Sequence, residues 1–508
     1  MTRARLYETA RGLEWPVLVF LLALLPRLAE LGARPFWLDE VFTLNRVSLK
    51  PAALVMDSFY NHHMPSFFLM LWPLAGLGHP EFWLRLPSAI FGAIAVMMVF
   101  LIAGQIAGRL AACLAALIIG LSPTFLAFSQ EARSYTMVMT LILVALYGLV
   151  RLAQNLPAAS LPLRAPDARM GWGCFILGTT AALDVLADGL PWLITANIIA
   201  AVLTAMGRGR GGFMRNMLKA DLIILVLAAP LYLALEIYQE KAFVQTLAWI
   251  PPLDATRLWY SVGSVYLMHL ADSVTFHVID RPGAILVWVI DAALAIAVIT
   301  AVRRLRHRPA MLTVLSISIL FLPLLLTAIS IWQPILLPRY ILWSAAPFAI
   351  LAGIGTAALL EGLNRRTQIL ATIAIAAVLL ANMLPYYQAE TKPRWDIAAQ
   401  MLAQEVQPGD VVYLHDFYAG KLLQIYLPAD KQALVLNDNN GDLNRAAQAL
   451  SQGKRVWAVY GLAGQGSGIT EDQDYHDNQK LLGTPKSVQQ AGNRIFIALY
   501  APASPAAP

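Results

Sequence analysis

The chain has 508 residues, of which 58% are hydrophobic and only 13% charged, with a mean hydropathy of +0.60. Soluble proteins carry about 25% charged residues, so a water-soluble enzyme is excluded and a polytopic membrane protein is expected. The formal net charge is +6, but its basic residues fall between apolar runs and form no continuous patch, which excludes nucleic-acid binding. Cys113 and Cys174 both lie inside apolar runs, leaving neither a disulfide framework nor a cysteine metal site.

A membrane-crossing helix needs about 20 apolar residues. Runs of that kind are expected at 15–33, 86–106, 111–128, 134–152, 171–187, 189–206, 219–237, 284–302, 311–331, 340–360 and 368–385, which makes eleven spans. The first is long and has no small-residue cleavage site, so it reads as an uncleaved signal anchor. Lys and Arg in short loops set orientation. Arg3, Arg5 and Arg11 precede the first span, Arg109 follows the second, and Arg151, Arg164 and Arg169 follow the fourth. Arg208, Arg210, Arg215 and Lys219, then Arg303, Arg304, Arg306 and Arg308, then Arg365 and Arg366 continue the alternation. These residues share one side, so a cytoplasmic N-terminus and an external C-terminus are expected. Within the first outer loop, residues 34–84, the stretch Met64–Leu77 is apolar but short and broken by Pro73, and reads as an interfacial or re-entrant helix.

The opposite face collects the carboxylates: Asp39, Glu40, Asp57, Glu81, Glu131, Asp184, Asp188, Asp254, Asp272 and Asp280. After about Pro385 the composition changes to alternating helices (from Trp395, Gly420 and Asn444) and strands (VVYLH, ALVLN, RVWAVYG, RIFIALYA). That order predicts an extracytoplasmic α/β domain over 386–508 with a largely parallel sheet, following a membrane domain over 1–385. The glycines of Gly461–Gly468 lack the strand-turn-helix setting of a nucleotide site and read as a loop.

Asp39 and Glu40 stand where the first span emerges, after Pro35-Phe36-Trp37-Leu38. Read locally they are two solvated border carboxylates. The same face, however, also supplies His62 and His63, Glu131 with Arg133, and Arg339 beside Tyr340. Ionisable groups at the centre of a membrane helix cost about 2.5–3.5 kcal/mol each on insertion scales, so a face that gathers so many near membrane depth is a functional candidate. Adjacent histidines without further ligands at regular spacing make a weak metal signal. Asp184 and Asp188, at i and i+4, read as residues solvating a turn.

Phe36-Trp37-Leu38-Asp39-Glu40, His63-Met64-Pro65, Arg85-Leu86-Pro87-Ser88, Ser122-Pro123, Ser129-Gln130-Glu131-Ala132-Arg133-Ser134-Tyr135 and Pro338-Arg339-Tyr340 together resemble glycosyltransferase family 39. These are the dolichyl-phosphate-mannose-protein mannosyltransferase and aminoarabinose transferase-like membrane enzymes of GT-C type. The resemblance extends to Trp395-Asp396 and Pro408-Gly409-Asp410. It implies a GT-C-like polytopic helical fold and a transferase that moves a sugar from a polyprenyl-phosphate carrier to a lipid, glycan or protein acceptor at the outer face. It places Asp39 at the family's catalytic acid position, Glu40 as its partner, and Glu131 and Arg133 in the second outer-loop motif. The family's His-Pro-Pro is His62-His63-Met64-Pro65 here, which leaves His63 a less secure match than Asp39.

Such a transfer needs a base for the acceptor and cations for the phosphate. Asp39 is the expected base, worth about 10²- to 10⁴-fold. Arg339 and Arg133, then Arg257, Arg46 or Lys50, are candidates for the phosphate, with the planar guanidinium fork favouring Arg. Snorkelling toward headgroups is the competing reading, and the stronger one for Arg46 and Lys50. The expected site thus comprises Asp39 and Glu40 as catalytic residues and His62, His63, Glu131, Arg133, Tyr135, Arg257, Arg339 and Tyr340 as substrate-binding residues. No cofactor or metal is expected, the mannosyltransferase-like branch being thought to act without one. Chelation of a divalent cation by Asp39 and Glu131, as in related oligosaccharyltransferases, is the alternative. A flippase for lipid-linked glycans would show midplane charges or two similar halves, and neither is evident. An oligosaccharyltransferase or glycan ligase is a further alternative, against which Glu-Ala-Arg stands in place of Asp-x-Asp. A bacterial inner membrane with a periplasmic C-terminal domain is the expected location.

Overall fold

The computed structural model describes residues 3–186, 189–207, 211–240, 249–272, 277–279, 285–414, 417–436, 442–461, 469–471 and 473–502. Asp188, Asp280, Arg208, Arg210 and all but the first glycine of the Gly461–Gly468 loop lie outside them. The chain packs as two compact units: one of residues 1–31, 46–271 and 277–386, the other of residues 32–45, 272–276 and 387–508.

The first unit is helical. It contains α1 (Arg3–Leu28), the end of α2 (Leu38–Val47), α3 (Pro51–Tyr60), α4 (Ser66–Leu71), α5 (Pro80–Gly120), α6 (Pro123–Ser129) and α7 (Tyr135–Gln154), followed by further helices to Gln388. Each of the eleven expected apolar runs is mostly helical over its described residues. Among the described residues seven helices are long and apolar enough to cross a membrane: α5, α7, Gly212–Tyr238, Ile285–Leu305, Pro309–Ile329, Pro338–Leu360 and Arg365–Gln388. Arg169–Val185 and Gly189–Ala205 are shorter, with 17 residues each. The run expected at 86–106 and the first part of that expected at 111–128 form one element, α5, interrupted at Ala107 and Gly108, where the glycine takes a φ of 82°; the rest of the second run lies in α6. Met64–Leu77 contributes only α4 and one 3₁₀ turn, too short to cross a bilayer.

With little hydrophobic gain available between helices in lipid, close packing of small residues holds such a unit together. Gly353 and Gly355 put the helix Ala345–Leu360 at its centre. A Cβ on Gly353 would stand 2.5 Å from the Ala115 backbone nitrogen, and one on Gly355 would stand 1.7 Å from the Ala297 oxygen. The end of α1 is fixed by polar bonds. Arg27, fully buried, donates to Ser129 Oγ (3.1 Å) and to the Ala23 carbonyl (2.7 Å) and lies over the Phe125 ring. Gln130 Nε2 donates to the Arg27 (3.0 Å) and Ala29 (2.6 Å) carbonyls, while its Oε1 accepts from Tyr386 Oη (2.9 Å).

The second unit is built on a five-stranded sheet of β1 (Val411–Leu414), β2 (Val435–Leu436), β3 (Val456–Tyr460), β4 (Ser487–Ala491) and β5 (Ile495–Tyr500), in the order β2-β1-β3-β5-β4. β1 is parallel to both β2 and β3, whereas β5 runs antiparallel to β3 and to β4. The sheet is therefore mixed. Helix Gln473–Leu482 and strand β4 occupy sequence expected to be loop. Every residue of β3 is buried, as a central strand covered on both faces requires. The turn before β1 is type II, with Pro408 and then Gly409 at a φ of 94°. Its Asp410 accepts from Arg455 Nη2 (2.6 Å), Arg455 Nε (3.0 Å), Trp457 Nε1 (3.0 Å) and the Gln407 amide (2.8 Å).

Candidate active site

The acid pair belongs to the second unit. Trp37 caps α2: its carbonyl accepts from the Glu40 (2.9 Å) and Val41 (3.1 Å) amides. Asp39 and Glu40 thus occupy the first turn, where the helix dipole favours negative charge. The two carboxylates differ sharply. Asp39 is half-buried, and its carbonyl accepts from Thr43 Oγ1 (3.2 Å). Glu40 is fully buried, receives the Lys392 ammonium at 2.8 Å, and reaches back to the Trp37 amide at 3.4 Å. The approach to the turn is held as well, since the Phe36 amide donates to Tyr426 Oη (2.7 Å) and Arg34 Nη1 to Thr391 Oγ1 (2.9 Å). Glu40 is thus tied to the backbone of the turn and to Lys392, while Asp39 is the more accessible carboxylate.

The first unit assembles cations. Arg46, on the last turn of α2, is 6% exposed; its Nε donates to Asp57 Oδ2 at 2.6 Å and its guanidinium lies 4.5 Å over the Phe68 ring. Its pKa is lowered from the ordinary guanidinium value, chiefly by burial, with the nearby Arg133 charge adding to the effect and Asp57 opposing it. Arginine remains protonated regardless. Nη1 of Arg46 is buried and meets no hydrogen-bond partner among the described residues. Arg133 rests against the Tyr135 ring (5.8 Å), and Tyr135 is itself buried edge-on against Phe128. The backbone of Arg133 is clamped through two motifs at once, because Ser88 Oγ donates to its carbonyl (2.9 Å) and the Ser88 carbonyl accepts from Thr136 Oγ1 (2.9 Å). Arg85 is buried and donates to the Leu31 carbonyl (3.0 Å).

The other expected residues take separate positions. Arg339 lies over Trp249 (5.0 Å) and Tyr340 (5.6 Å), a guanidinium between two aromatic faces. Arg257 follows the Asp254 cap of its helix and brings Nη1 to 3.5 Å from His277 Nδ1. His62, at a φ of 59°, has Nε2 3.2 Å from the Glu240 carbonyl, and His63 Nδ1 stands 2.5 Å from the Asn61 carbonyl. Glu131 is buried, with its carbonyl accepting from the Arg133 amide (2.8 Å). Asp184 closes the helix Arg169–Val185. Sequence reasoning missed Lys392 and Tyr426, which carry no local signal, and missed Asp57 as the partner that makes Arg46 a buried group.

Residues 62–163 match the family described as dolichyl-phosphate-mannose-protein mannosyltransferase. No curated protein sequence matches the chain. Among solved structures, ArnT from Cupriavidus metallidurans in the apo state is similar with a TM-score of 0.56 at 16% identity, over 97% of this chain and 98% of that one. The same enzyme bound to undecaprenyl phosphate gives 0.56 at 16%, over 96% and 98%. The apo oligosaccharyltransferase of Archaeoglobus fulgidus gives 0.54 at 13%, over 88% of this chain and 69% of that one. The chain therefore has the GT-C-like fold of these two proteins, and residues 62–163 carry the mannosyltransferase family match. That match takes in the His62-His63 stretch, Arg85–Ser88 and Ser129–Tyr135, so it includes both motifs that clamp Arg133.

Proposed function

We propose that the enzyme transfers one sugar from a polyprenyl-phosphate carrier to a lipid, glycan or protein acceptor, with inversion at the anomeric carbon. The observation that carries this reading is Arg46, a guanidinium that is buried with an unused donor and feels the positive charge of Arg133, in a unit made of membrane helices. Like charges in such a setting are relieved by an oxyanion, and the planar forks suit phosphate. The likeness to an ArnT structure containing undecaprenyl phosphate supports the choice of carrier. Near-complete coverage of ArnT, against 69% of the oligosaccharyltransferase, favours transfer of a single sugar over a whole glycan.

In this reading Asp39 takes the proton of the acceptor nucleophile as that atom attacks the anomeric carbon. The bond from that carbon to the carrier phosphate breaks, and the phosphate leaves with the electron pair, stabilised by Arg46 and Arg133 and assisted by Arg339 and Arg257. His62, His63, Glu131 and Tyr340 bind substrate, and Tyr135 steadies Arg133. No resident metal is required, because the leaving phosphate is neutralised by side chains. The enzyme is a multi-pass protein of a bacterial inner membrane, with a cytoplasmic N-terminus and the α/β unit in the periplasm. The test is transfer from a synthetic polyprenyl-phosphate sugar. Asp39→Asn should lower turnover by about 10²- to 10⁴-fold with folding unchanged. Near-normal turnover removes Asp39 as base, and a product that retains anomeric configuration rules out single displacement.

A further inference from the structure

We infer that Lys392 is a positioning residue for the catalytic turn, which makes the C-terminal α/β unit the platform on which the acid pair is built; the inference rests on the role proposed for Asp39. Compact packing groups residues 32–45 with residues 387–508, although α2 continues into the first unit. Within the second unit the turn is gripped at three consecutive places. Arg34 is bonded to Thr391, the Phe36 amide to Tyr426, and Glu40 to Lys392. The last bond is the deepest, with Glu40 at 0% and Lys392 at 7% side-chain exposure and 2.8 Å between them.

Charge explains why the ammonium is needed there. Two adjacent carboxylates in one helical turn repel, and one of them is fully buried, so Glu40 keeps its charge only with an opposite charge against it. Lys392 supplies that charge, and with it fixed, Glu40 caps the Trp37 amide in the manner of a capping box. The turn presenting Asp39 then has a defined backbone. The segment that bears Lys392 is tied to the sheet two residues earlier: Glu390 accepts the Asn493 amide through both oxygens (2.9 and 3.0 Å), and Gly492, at a φ of 63°, leaves no room for a Cβ beside that carboxylate. Arg494, next in the same hairpin, grips Asp272 with two bonds (3.0 and 2.6 Å), both side chains being buried.

A positioning role predicts loss of rate without loss of binding, since misplacing a reacting group by about 1 Å costs on the order of 10²-fold. With purified full-length enzyme and a synthetic polyprenyl-phosphate sugar, Lys392→Met should lower kcat by about 10- to 100-fold while leaving the donor KM within about twofold. Adding Glu40→Gln, which removes the stranded charge, should restore most of that loss. Lys392→Met with wild-type kcat overturns the inference, as does a fall in kcat that the second substitution does not recover. Should Lys392→Met fail to fold, Tyr426→Phe replaces it, losing the hydroxyl that holds the Phe36 amide; a smaller fall in kcat at constant KM supports the inference and full kcat overturns it. Asp39→Asn assayed alongside separates the two ideas. An inactive Asp39→Asn beside a fully active Lys392→Met refutes the positioning role alone, whereas an active Asp39→Asn refutes the base.

Discussion

Gln130 directly precedes Glu131 in the second outer-loop motif, yet its bonds are architectural. It satisfies two carbonyls at the frayed end of α1 and receives Tyr386. Gln130→Ala leaves those groups buried without it and should cost about 1–3 kcal/mol, measured as a lowered unfolding midpoint in detergent, with Tyr386→Phe costing less. Asp410 makes a second residue-level prediction. Burial alone would raise its pKa, but bonds from Arg455, the Gln407 amide and Trp457, together with the Arg455 charge, outweigh that and hold it below the ordinary carboxylate value. A depressed folded pKa contributes stability that is fully present above the unfolded value near 3.9 and is lost as pH falls through the folded one. Asp410→Asn should therefore be less stable near neutrality and show a flatter acid limb below about pH 4 in an unfolding titration.

Among the elements, the helix Ala345–Leu360 depends on two glycines that admit backbone from either side. Gly355→Ala would place a methyl group on the Ala297 carbonyl, so the helices must separate; the expected outcome is a sharp loss of monodisperse protein on size-exclusion chromatography. The membrane helices were readable from sequence because a run of about 20 apolar residues is a local property that needs no partner. The edge of the C-terminal sheet was not. Ser487–Ala491 is mostly exposed and polar, as an edge strand should be, and so resembles a loop. The helix Gln473–Leu482 buries only Tyr475, Asn478 and Leu482, too thin an apolar face to stand out. The break in α5 was anticipated only as a gap between two spans, although Gly108 marks it.

For the molecule as a whole, the candidate site residues stand out in the sequence as residue types, whereas their pairings do not. Asp39 stood out through its neighbours in the sequence, and Arg46 was discounted as a headgroup-seeking side chain because its partner Asp57 lies on the following helix. Lys392 could not be found, since 352 residues separate it from Glu40 and neither position has a periodic signature. If the phosphate is neutralised by Arg46 and Arg133, activity should survive exhaustive treatment with a chelator, and Arg46→Met should raise the donor KM. Turnover abolished by EDTA and restored by a divalent cation would contradict the first expectation.

The Glu40–Lys392 bond also has a meaning in time. A ribosome releases the acid turn early and its counter-charge only 352 residues later, so Glu40 passes through most of synthesis with no lysine to meet. On the positioning role proposed for Lys392, a nascent chain gains its full rate only after that residue has been made. Ribosome-stalled chains ending before Lys392 should insert into membranes yet transfer sugar at least about 10- to 100-fold more slowly than chains that include it.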